Sequence, residues 1–277
     1  MQADELSKPV AKRDSKRMVI KLIQSVVLFG LLIYFLPWLL VFYLICGGLD
    51  LWRNAPLDWA TVKRYFLGNG WLTWLLSPFN LLLDLFTSRN KRIYQLTDLP
   101  QAYQTEINTL LQAIDRQGLI DELADKMGDK NRGMMFFKWY GKNIHNSVSI
   151  PEFHQNYQFV RTIGVSMFNK QQSTSLHFGP MRVTLRVLYN LNPIDSDDVY
   201  IQVGQHRNVW REQPLFIFDD TLQHQSVNGS DQQRYCMFID ILRPSAYPAF
   251  IDRILNVVRL ISLRVNHVFY KNWDFIK

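Results

Sequence analysis

An unbroken stretch without charged side chains, residues 22–49, limits what this chain can fold into more than any other feature. As a helix rising 1.5 Å per residue it would be about 42 Å long, more than the roughly 30 Å hydrocarbon core of a bilayer. A secretory signal peptide has a shorter apolar region, and Gly47-Gly48 is a poor cleavage site. We therefore predict a transmembrane helix over 22–49, kinked or ended at Pro37.

The positive charge of the chain, a net +7 over 277 residues, flanks its apolar segments. Residues 1–21 are polar and basic, which predicts a flexible tail on the cytoplasmic side. The segment 65–86 is almost free of charge but contains Gly68 and Pro78, so it predicts a second span, a re-entrant hairpin or an interfacial helix. With no nucleic-acid motif beside it, the basic charge favours a membrane partner and no nucleic acid.

The second half of the chain is dominated by strand patterns from residue 157 onward. Apolar and β-branched runs are separated by loops that contain Asn, Pro, Asp and Gly. The predicted strands are 158–163, 182–189, 199–203, 215–218 and 235–242. Many short strands at this spacing predict a mainly β domain of the sandwich or jelly-roll type.

Helical patterns flank this β region. Residues 98–127 predict a packing helix, because apolar side chains recur there at helical spacing. The C-terminal segment 248–277 contains an amphipathic helix over 248–271, which is too apolar for a solvated helix. Arginines and a lysine interrupt it and disfavour a bilayer span, so it lies on the membrane surface or packs on the domain.

Two histidines and an arginine lie beside predicted strands. His224 comes just after the apolar strand 215–218, where a rigid element positions functional side chains, and His177 precedes the strand 182–189. An isolated histidine is usually a structural residue, but imidazoles on neighbouring strands are common ligands of divalent transition metals. Arg234 follows ten residues after His224 and can grip a carboxylate. The set predicts a metal and a chelating organic acid.

These residues also resemble the aspartyl/asparaginyl β-hydroxylase family of iron(II)- and 2-oxoglutarate-dependent oxygenases. The resemblance is carried by His177-Phe-Gly-Pro180, by Ile217-Phe-Asp-Asp-Thr-Leu-Gln-His224 and by Arg234. Weaker matches are Ser166, Arg186-Val-Leu-Tyr-Asn-Leu191 and Trp210, and the similar stretch runs from near Trp139 to about Pro244.

The resemblance implies a double-stranded β-helix over 95–247 with Fe(II) and 2-oxoglutarate bound at one end. By this resemblance His177 and His224 would be the iron ligands. Arg234 and Ser166 would hold the distal carboxylate of 2-oxoglutarate. Arg186 would line the same pocket, and Trp139 would lie there as well.

The chain departs from the family pattern at two places. Leu188 stands where the family usually has a histidine that binds 2-oxoglutarate. Neither position 178 nor 179 carries a carboxylate, although a facial triad normally has two histidines and one carboxylate. Some members of the family work with two histidines and water, whereas related lipid hydroxylases carry His-x-Asp there.

The resemblance and the apolar segments together predict a membrane-anchored dioxygenase, similar to lipid A and ornithine-lipid hydroxylases. It would use molecular oxygen to hydroxylate a C–H bond of a lipid acyl chain or another membrane-associated substrate. It would lie in a bacterial inner membrane, with the catalytic domain on the cytoplasmic side where 2-oxoglutarate is found. Two alternatives stay open: a peptidyl aspartyl/asparaginyl β-hydroxylase, and a non-catalytic membrane scaffold that retains the fold.

Overall fold

A computed structural model of the chain describes residues 10–114, 116–148, 150–269 and 273–276. It divides into two compact units, residues 1–46 and 47–277. The first unit consists, in its described part, of the helix α1 (Val10–Leu51), whose last residues belong to the second unit. All strands of the described part, and the remaining helices, lie in the second unit.

Helix α1 differs from its prediction at both ends. Residues 1–9 of the predicted tail lie outside the described residues, but residues 10–21 are helical. Their Ala, Lys, Arg and Met are good helix formers, which explains why the helix starts before the apolar run. The helix also continues through Pro37. Its part from Ile33 onward belongs to the one described stretch, Ile33–Asn54, that is long and apolar enough to cross a membrane.

The segment 65–86 does not form one long helix. It contains the end of α2 (Trp59–Leu67), the short helix α3 (Trp71–Leu75) and α4 (Ser77–Phe86). Each is far shorter than the roughly 20 residues that a transmembrane helix needs. No helix in this segment is therefore long enough to span a bilayer alone, and these short helices are compatible with a re-entrant or interfacial position.

The predicted helix 98–127 is two helices, α5 (Gln101–Gln112) and α6 (Arg116–Met127). Ile114, in the break between them, is buried, so the apolar pattern continues as if the helix were unbroken. Both helices bury their apolar sides on one face of the main sheet. The last helix is α7 (Pro248–Phe269), and residues 270–272 of the predicted segment lie outside the described ones.

Two antiparallel sheets form the β domain, so the predicted mainly β jelly roll with flanking helices is confirmed. The strands are β1 (Ile93–Tyr94), β2 (Arg132–Trp139), β3 (Lys142–Asn143), β4 (Val160–Phe168), β5 (Gln172–Ser173), β6 (Thr184–Asn190), β7 (Val199–Val203), β8 (His206–Val209), β9 (Leu215–Phe218), β10 (His224–Asn228), β11 (Arg234–Leu242) and β12 (Asp274–Phe275). The eight-stranded sheet has the order β1-β9-β6-β11-β4-β2-β12 with β3 beside β2, and the four-stranded sheet has the order β5-β10-β7-β8. Only the short β12 pairs in parallel among the described strands.

The space between the two sheets positions the site. Side chains of β6, β9 and β11 on the large sheet pack against those of β7 on the small sheet. Alternate residues of the same large-sheet strands point the other way, toward α5 and α6. The large sheet is thus covered on both faces, and the cleft between the sheets opens beside β10, where His224 is the first residue of the strand.

Candidate active site

His177 and His224 pair directly across the cleft end as an isolated antiparallel bridge. The amide of His177 donates to the carbonyl of His224 at 3.0 Å, and the amide of His224 donates back at 2.9 Å. The two imidazole ring centroids lie 4.1 Å apart. Since main-chain hydrogen bonds fix both residues, the spacing of the imidazoles does not depend on a flexible loop.

Each imidazole is held in the tautomer that leaves Nε2 free to bind a metal. Nδ1 of His177 lies 2.7 Å from the carbonyl oxygen of Ser175, and Nδ1 of His224 lies 2.8 Å from that of Leu222. A carbonyl oxygen only accepts, so each Nδ1 carries the proton and each Nε2 keeps a free lone pair. Burial lowers the pKa of both histidines, and the neighbouring His177 lowers that of His224 further. Both are therefore neutral at pH 7, as metal ligands must be.

Arg234 lies in the same cavity as the two histidines, and its charge has no carboxylate partner among the described residues. The side chain is 1% exposed, and its Nε and Nη1 are buried without a hydrogen-bond partner. Its guanidinium stacks on the rings of Phe168 at 4.4 Å and Trp210 at 5.8 Å. An unpaired buried cation is costly, so this arrangement fits a site that is completed by an anion.

Ser166 and Arg186, also predicted for this pocket, both line the cavity. The Ser166 hydroxyl donates to the carbonyl of Cys236 at 3.1 Å, so it must rotate to donate to a bound carboxylate. Arg186 forms two hydrogen bonds with Asp240, at 2.9 and 3.2 Å. Arg186 is thus already neutralised, which leaves Arg234 as the better anion site.

Trp139 lies at the end of β2, and it does not appear among the described residues that line the cavity. It stacks on Tyr140 with ring centroids 5.1 Å apart. Its assignment to the pocket stays a prediction. Trp273, which sequence reasoning did not select, lines the cavity instead and packs edge-on against Phe168. No sequence signal marks Trp273, because it reaches the site through the C-terminal strand β12 that follows α7.

The remaining cavity wall is mostly apolar. The cavity measures about 600 Å³, counting its open mouth. Apolar side chains from both sheets line it: Met134, Phe168, Leu188, Ile201, Phe218, Cys236, Phe238 and Trp273. Leu188, which replaces the family histidine, packs in this wall together with Phe216 and Phe238. The polar part of the lining consists of the two histidines, Ser166, Thr174, Arg186, Ser226 and Arg234.

Among the described residues, no group of three His, Cys, Asp or Glu side chains is arranged so that it could hold a metal ion. The position two residues after His177 is Gly179, whose amide donates to the Asp220 carbonyl at 2.7 Å. A Cβ on Gly179 would lie 2.7 Å from Cγ of Asp220 and 2.8 Å from its carbonyl oxygen. The backbone therefore leaves no room for a carboxylate side chain at 179.

Buried charges support the turn between β9 and His224. This arginine–aspartate network consists of Asp50, Arg53, Asp84, Arg182, Asp219 and Arg243. Arg182, which is 1% exposed, pairs with Asp50 and, at 2.5 Å, with Asp84. Arg53 and Asn90 both donate to Asp219, and Asp219 in turn accepts from the Thr221 hydroxyl at 2.6 Å. The network ties the end of α1 and α4 to the turn that positions His224.

Asp219 and Asp220 differ in their electrostatic surroundings. Burial alone would raise the pKa of Asp219, but Arg53, Arg182 and the Thr221 hydroxyl outweigh it and hold the pKa well below its usual range. Burial raises the pKa of Asp220 to about 7, against the opposing effect of Arg186 and with a further increase from Asp240. In the sequence, both residues were noted only as part of the motif that ends at His224.

Comparison with known proteins gives matches over the same region. The model of the family described as Aspartyl/Asparaginyl beta-hydroxylase matches residues 101–244. The ornithine lipid ester-linked acyl 2-hydroxylase of Rhizobium tropici is 32% identical over 85 residues, which is 30% of this chain and 30% of that protein. The chain thus matches less than a third of the length of this curated relative.

Solved structures with a similar arrangement are distant in sequence. The viral collagen prolyl hydroxylase from Paramecium bursaria Chlorella virus-1, in its 2-oxoglutarate complex, is 10% identical, with a TM-score of 0.33 over 47% of this chain and 90% of that chain. An oxidoreductase of the 2OG-Fe(II) oxygenase family from Burkholderia pseudomallei is 15% identical, with a TM-score of 0.26 over 31% of this chain and 44% of that chain.

Proposed function

The chain belongs to the aspartyl/asparaginyl β-hydroxylase family, and on that premise we propose that it is an iron(II)- and 2-oxoglutarate-dependent dioxygenase. The observation that carries this proposal is the position of Arg234. Its buried guanidinium has donors without a partner, and it shares one cavity with two neutral histidines whose Nε2 atoms are free to bind a metal. A metal at the histidines and a dicarboxylate that reaches Arg234 would satisfy both.

The residues present fit the implied groups. His177 and His224 would hold the iron, and Arg234 would hold the distal carboxylate of 2-oxoglutarate with help from Ser166. Iron(II) with 2-oxoglutarate supplies the oxidising chemistry by which one oxygen atom of O2 enters a C–H bond of the substrate. The chain's own contribution is to fix the imidazoles, to neutralise the dicarboxylate and to exclude water with the apolar wall.

We propose a lipid acyl chain as the substrate. The wall of the cavity is formed mainly by aromatic and aliphatic side chains from both sheets, which suits a hydrocarbon chain better than an aspartyl or asparaginyl side chain. The similar Rhizobium tropici protein is named as an acyl 2-hydroxylase of a lipid, which supports the same substrate class. The apolar part of α1 would anchor the enzyme in the membrane that contains this lipid.

The test is iron(II)-dependent conversion of 2-oxoglutarate to succinate by the detergent-purified full chain. We expect turnover that is lost in His224→Ala and retained in His145→Ala, because His145 is exposed and lies outside the cavity lining. A lipid extract should raise succinate formation and yield a product 16 Da heavier, the mass of one oxygen atom.

Two negative outcomes of this assay have different meanings. If titration detects neither iron(II) nor 2-oxoglutarate bound to the purified chain, the dioxygenase proposal is wrong and the domain acts as a non-catalytic scaffold. If both bind and a peptide extract, rather than a lipid extract, stimulates turnover, the enzyme stands and the acyl-chain substrate is wrong.

A further inference from the structure

Two short helices next to the site expose large apolar side chains along one side. On α3 these are Trp71 and Leu75, and on α4 they are Leu82, Leu85 and Phe86. Leu85 is 77% exposed, although Leu83 beside it is buried. A monomeric soluble domain rarely leaves an apolar strip of this kind in contact with water.

Helix α7 extends the same exposed surface. Its first turn follows the exposed Tyr247, and Phe250, Val257 and Leu260 are exposed at helical spacing. The rings of Phe86 and Phe250 lie 6.3 Å apart, so the two strips are continuous. The opposite side of α7 packs on the domain, since Ile251 and Leu255 are buried in a cluster with Leu83.

We call this surface the apolar platform, made of Trp71, Leu75, Leu82, Leu85, Phe86, Tyr247, Phe250, Val257 and Leu260. The prediction for 248–277 offered two positions for α7, on the membrane or on the domain. The two faces of α7 allow both at once, because one side packs on the domain and the other is exposed.

The polar side of the platform helices holds the loop that carries His177. The Thr73 hydroxyl donates to the carbonyl of Gly179 at 3.0 Å, and the Asn80 amide donates to that of Pro180 at 3.1 Å. Asn69 donates to the carbonyl of Leu176 at 2.8 Å. The platform and the proposed iron-ligand loop are therefore opposite faces of one thin layer of helices.

The chemistry of the platform points to lipid. Tryptophan and tyrosine, here Trp71 and Tyr247, are the residues that favour the membrane–water interface. Exposed basic side chains follow α4 at Arg89 and Arg92, where they suit the anionic head groups of a leaflet, whereas Lys91 between them is paired with Asp98 at 2.5 Å. Helices α3 and α4 are too short to span a bilayer, so the interface is the part of the membrane that they can occupy.

We propose that the apolar platform lies in the bilayer interface, as a second membrane contact that is separate from α1. This proposal rests on the membrane attachment in the proposed function and adds the face by which the catalytic unit meets the lipid. Only one layer of helices, about 10 Å thick, then lies between the lipid surface and the His177 loop. An acyl chain would reach the cavity from the membrane without crossing bulk water.

The test uses the full chain in lipid nanodiscs, labelled with an environment-sensitive fluorophore at single introduced cysteines. Leu85→Cys and Val257→Cys report on the platform, Ile33→Cys on α1, and Glu212→Cys on a charged, exposed turn. The unsubstituted chain measures background labelling of Cys46 and Cys236, which are both buried. Lipids that carry a nitroxide quencher on the acyl chain identify the sites that contact the bilayer.

We expect the labels at 85 and 257 to be quenched as the label at 33 is, and the label at 212 to be unaffected. If only the label at 33 is quenched, the anchor stands and the platform proposal is wrong. A blue-shifted but unquenched label at 85 would mean that protein covers the platform, which also overturns it. Quenching at 85 without quenching at 33 would support the platform and contradict the α1 anchor. If no site is quenched, the membrane attachment in the proposed function fails together with the platform.

Discussion

Asp219 and Asp220 are adjacent in the chain, yet folding shifts the pKa values of their carboxyl groups in opposite directions. The Asp219 carboxylate accepts hydrogen bonds from Arg53 and Thr221, and its charge is stabilised. The Asp220 carboxyl lies 3.6 Å from Arg186, but burial keeps its pKa near 7. Since both lie in the turn before His224, each offers a pH-dependent measure of how that turn is held.

Asp219→Asn should destabilise the protein strongly at pH 7. It leaves Arg53 and Arg182 without a buried counter-charge, and breaking a buried ion pair costs roughly 3–5 kcal/mol. A carboxyl whose pKa is lowered by folding contributes stability above its unfolded pKa of about 3.9, and that contribution is lost as the pH falls below it. Urea unfolding should therefore show a large difference from the native chain at pH 7 and a smaller one near pH 3. An equal difference at both values would contradict the role of the Asp219 charge.

For Asp220→Asn we expect the opposite effect of pH on the free energy of unfolding. A carboxyl whose pKa is raised to about 7 by folding makes the native chain lose stability as the pH rises from about 4 to 7. The asparagine variant lacks this loss, so its unfolding free energy relative to the native chain should increase between pH 4 and pH 8. Unfolding curves at several pH values measure it, with Asp231→Asn, an exposed site, as the control. A difference that does not change with pH would show that Asp220 is already ionised at pH 4.

Arg234→Met should separate stability from cosubstrate binding. Without 2-oxoglutarate, the unfolding free energy should stay the same or rise, because replacing a buried unpaired cation by an apolar side chain removes a desolvation cost. Binding of 2-oxoglutarate should weaken at least about 100-fold, since two charge-assisted hydrogen bonds contribute roughly 1.5–3 kcal/mol each.

Calorimetric titration with 2-oxoglutarate and thermal unfolding measure the two effects of Arg234→Met. Binding of iron(II) should be retained, because the two histidines are untouched. Arg89→Met, at an exposed site, is the control and should change neither quantity. Unchanged 2-oxoglutarate binding in Arg234→Met would place the dicarboxylate elsewhere.

Leu188→His should strengthen 2-oxoglutarate binding by up to about tenfold, because it restores the histidine of the family pattern and one hydrogen bond contributes roughly 0.5–1.5 kcal/mol. Leu188 lines the cavity on the same sheet as Arg186 and Arg234. Ile201→His, on the small sheet, adds the same polar group to the other wall and should not strengthen binding. The apparent KM for 2-oxoglutarate measures both, and equal changes in the two variants would remove the special role of position 188.

The β architecture could be predicted from the sequence because strands and turns depend on patterns of neighbouring residues. Alternation and turn residues marked most of the long strands, and the motif residues His177, His224 and Arg234 are brought into one cavity as the resemblance implied. The iron and 2-oxoglutarate roles of these residues stay predictions, as does the role of Trp139. Strand β10 could not be predicted because its residues, His-Gln-Ser-Val-Asn, are mostly polar and lack the apolar alternation of a strand.

The arginine–aspartate network could not be predicted, because its partners are far apart in sequence. Arg53 and Asp219 are separated by 166 residues, and Arg182 and Asp84 by 98. Each looks like an ordinary surface charge in its own segment, and only the packing of α4 and the end of α1 against the turn pairs them. Trp273 could not be predicted either, because it is far in sequence from the other residues of the cavity. The break between α5 and α6 could not be predicted because Ile114 continues the apolar spacing.

The contact between Gly179 and Asp220 also limits how this lineage can change. A single substitution at 179 would collide with the carbonyl of the facing chain before any new ligand could reach a metal. The facing turn would have to move first, and that turn is held by buried charges. Placing a metal-binding side chain at 179 therefore needs at least two coupled changes. Selection that acts on single substitutions would therefore retain the two-histidine arrangement.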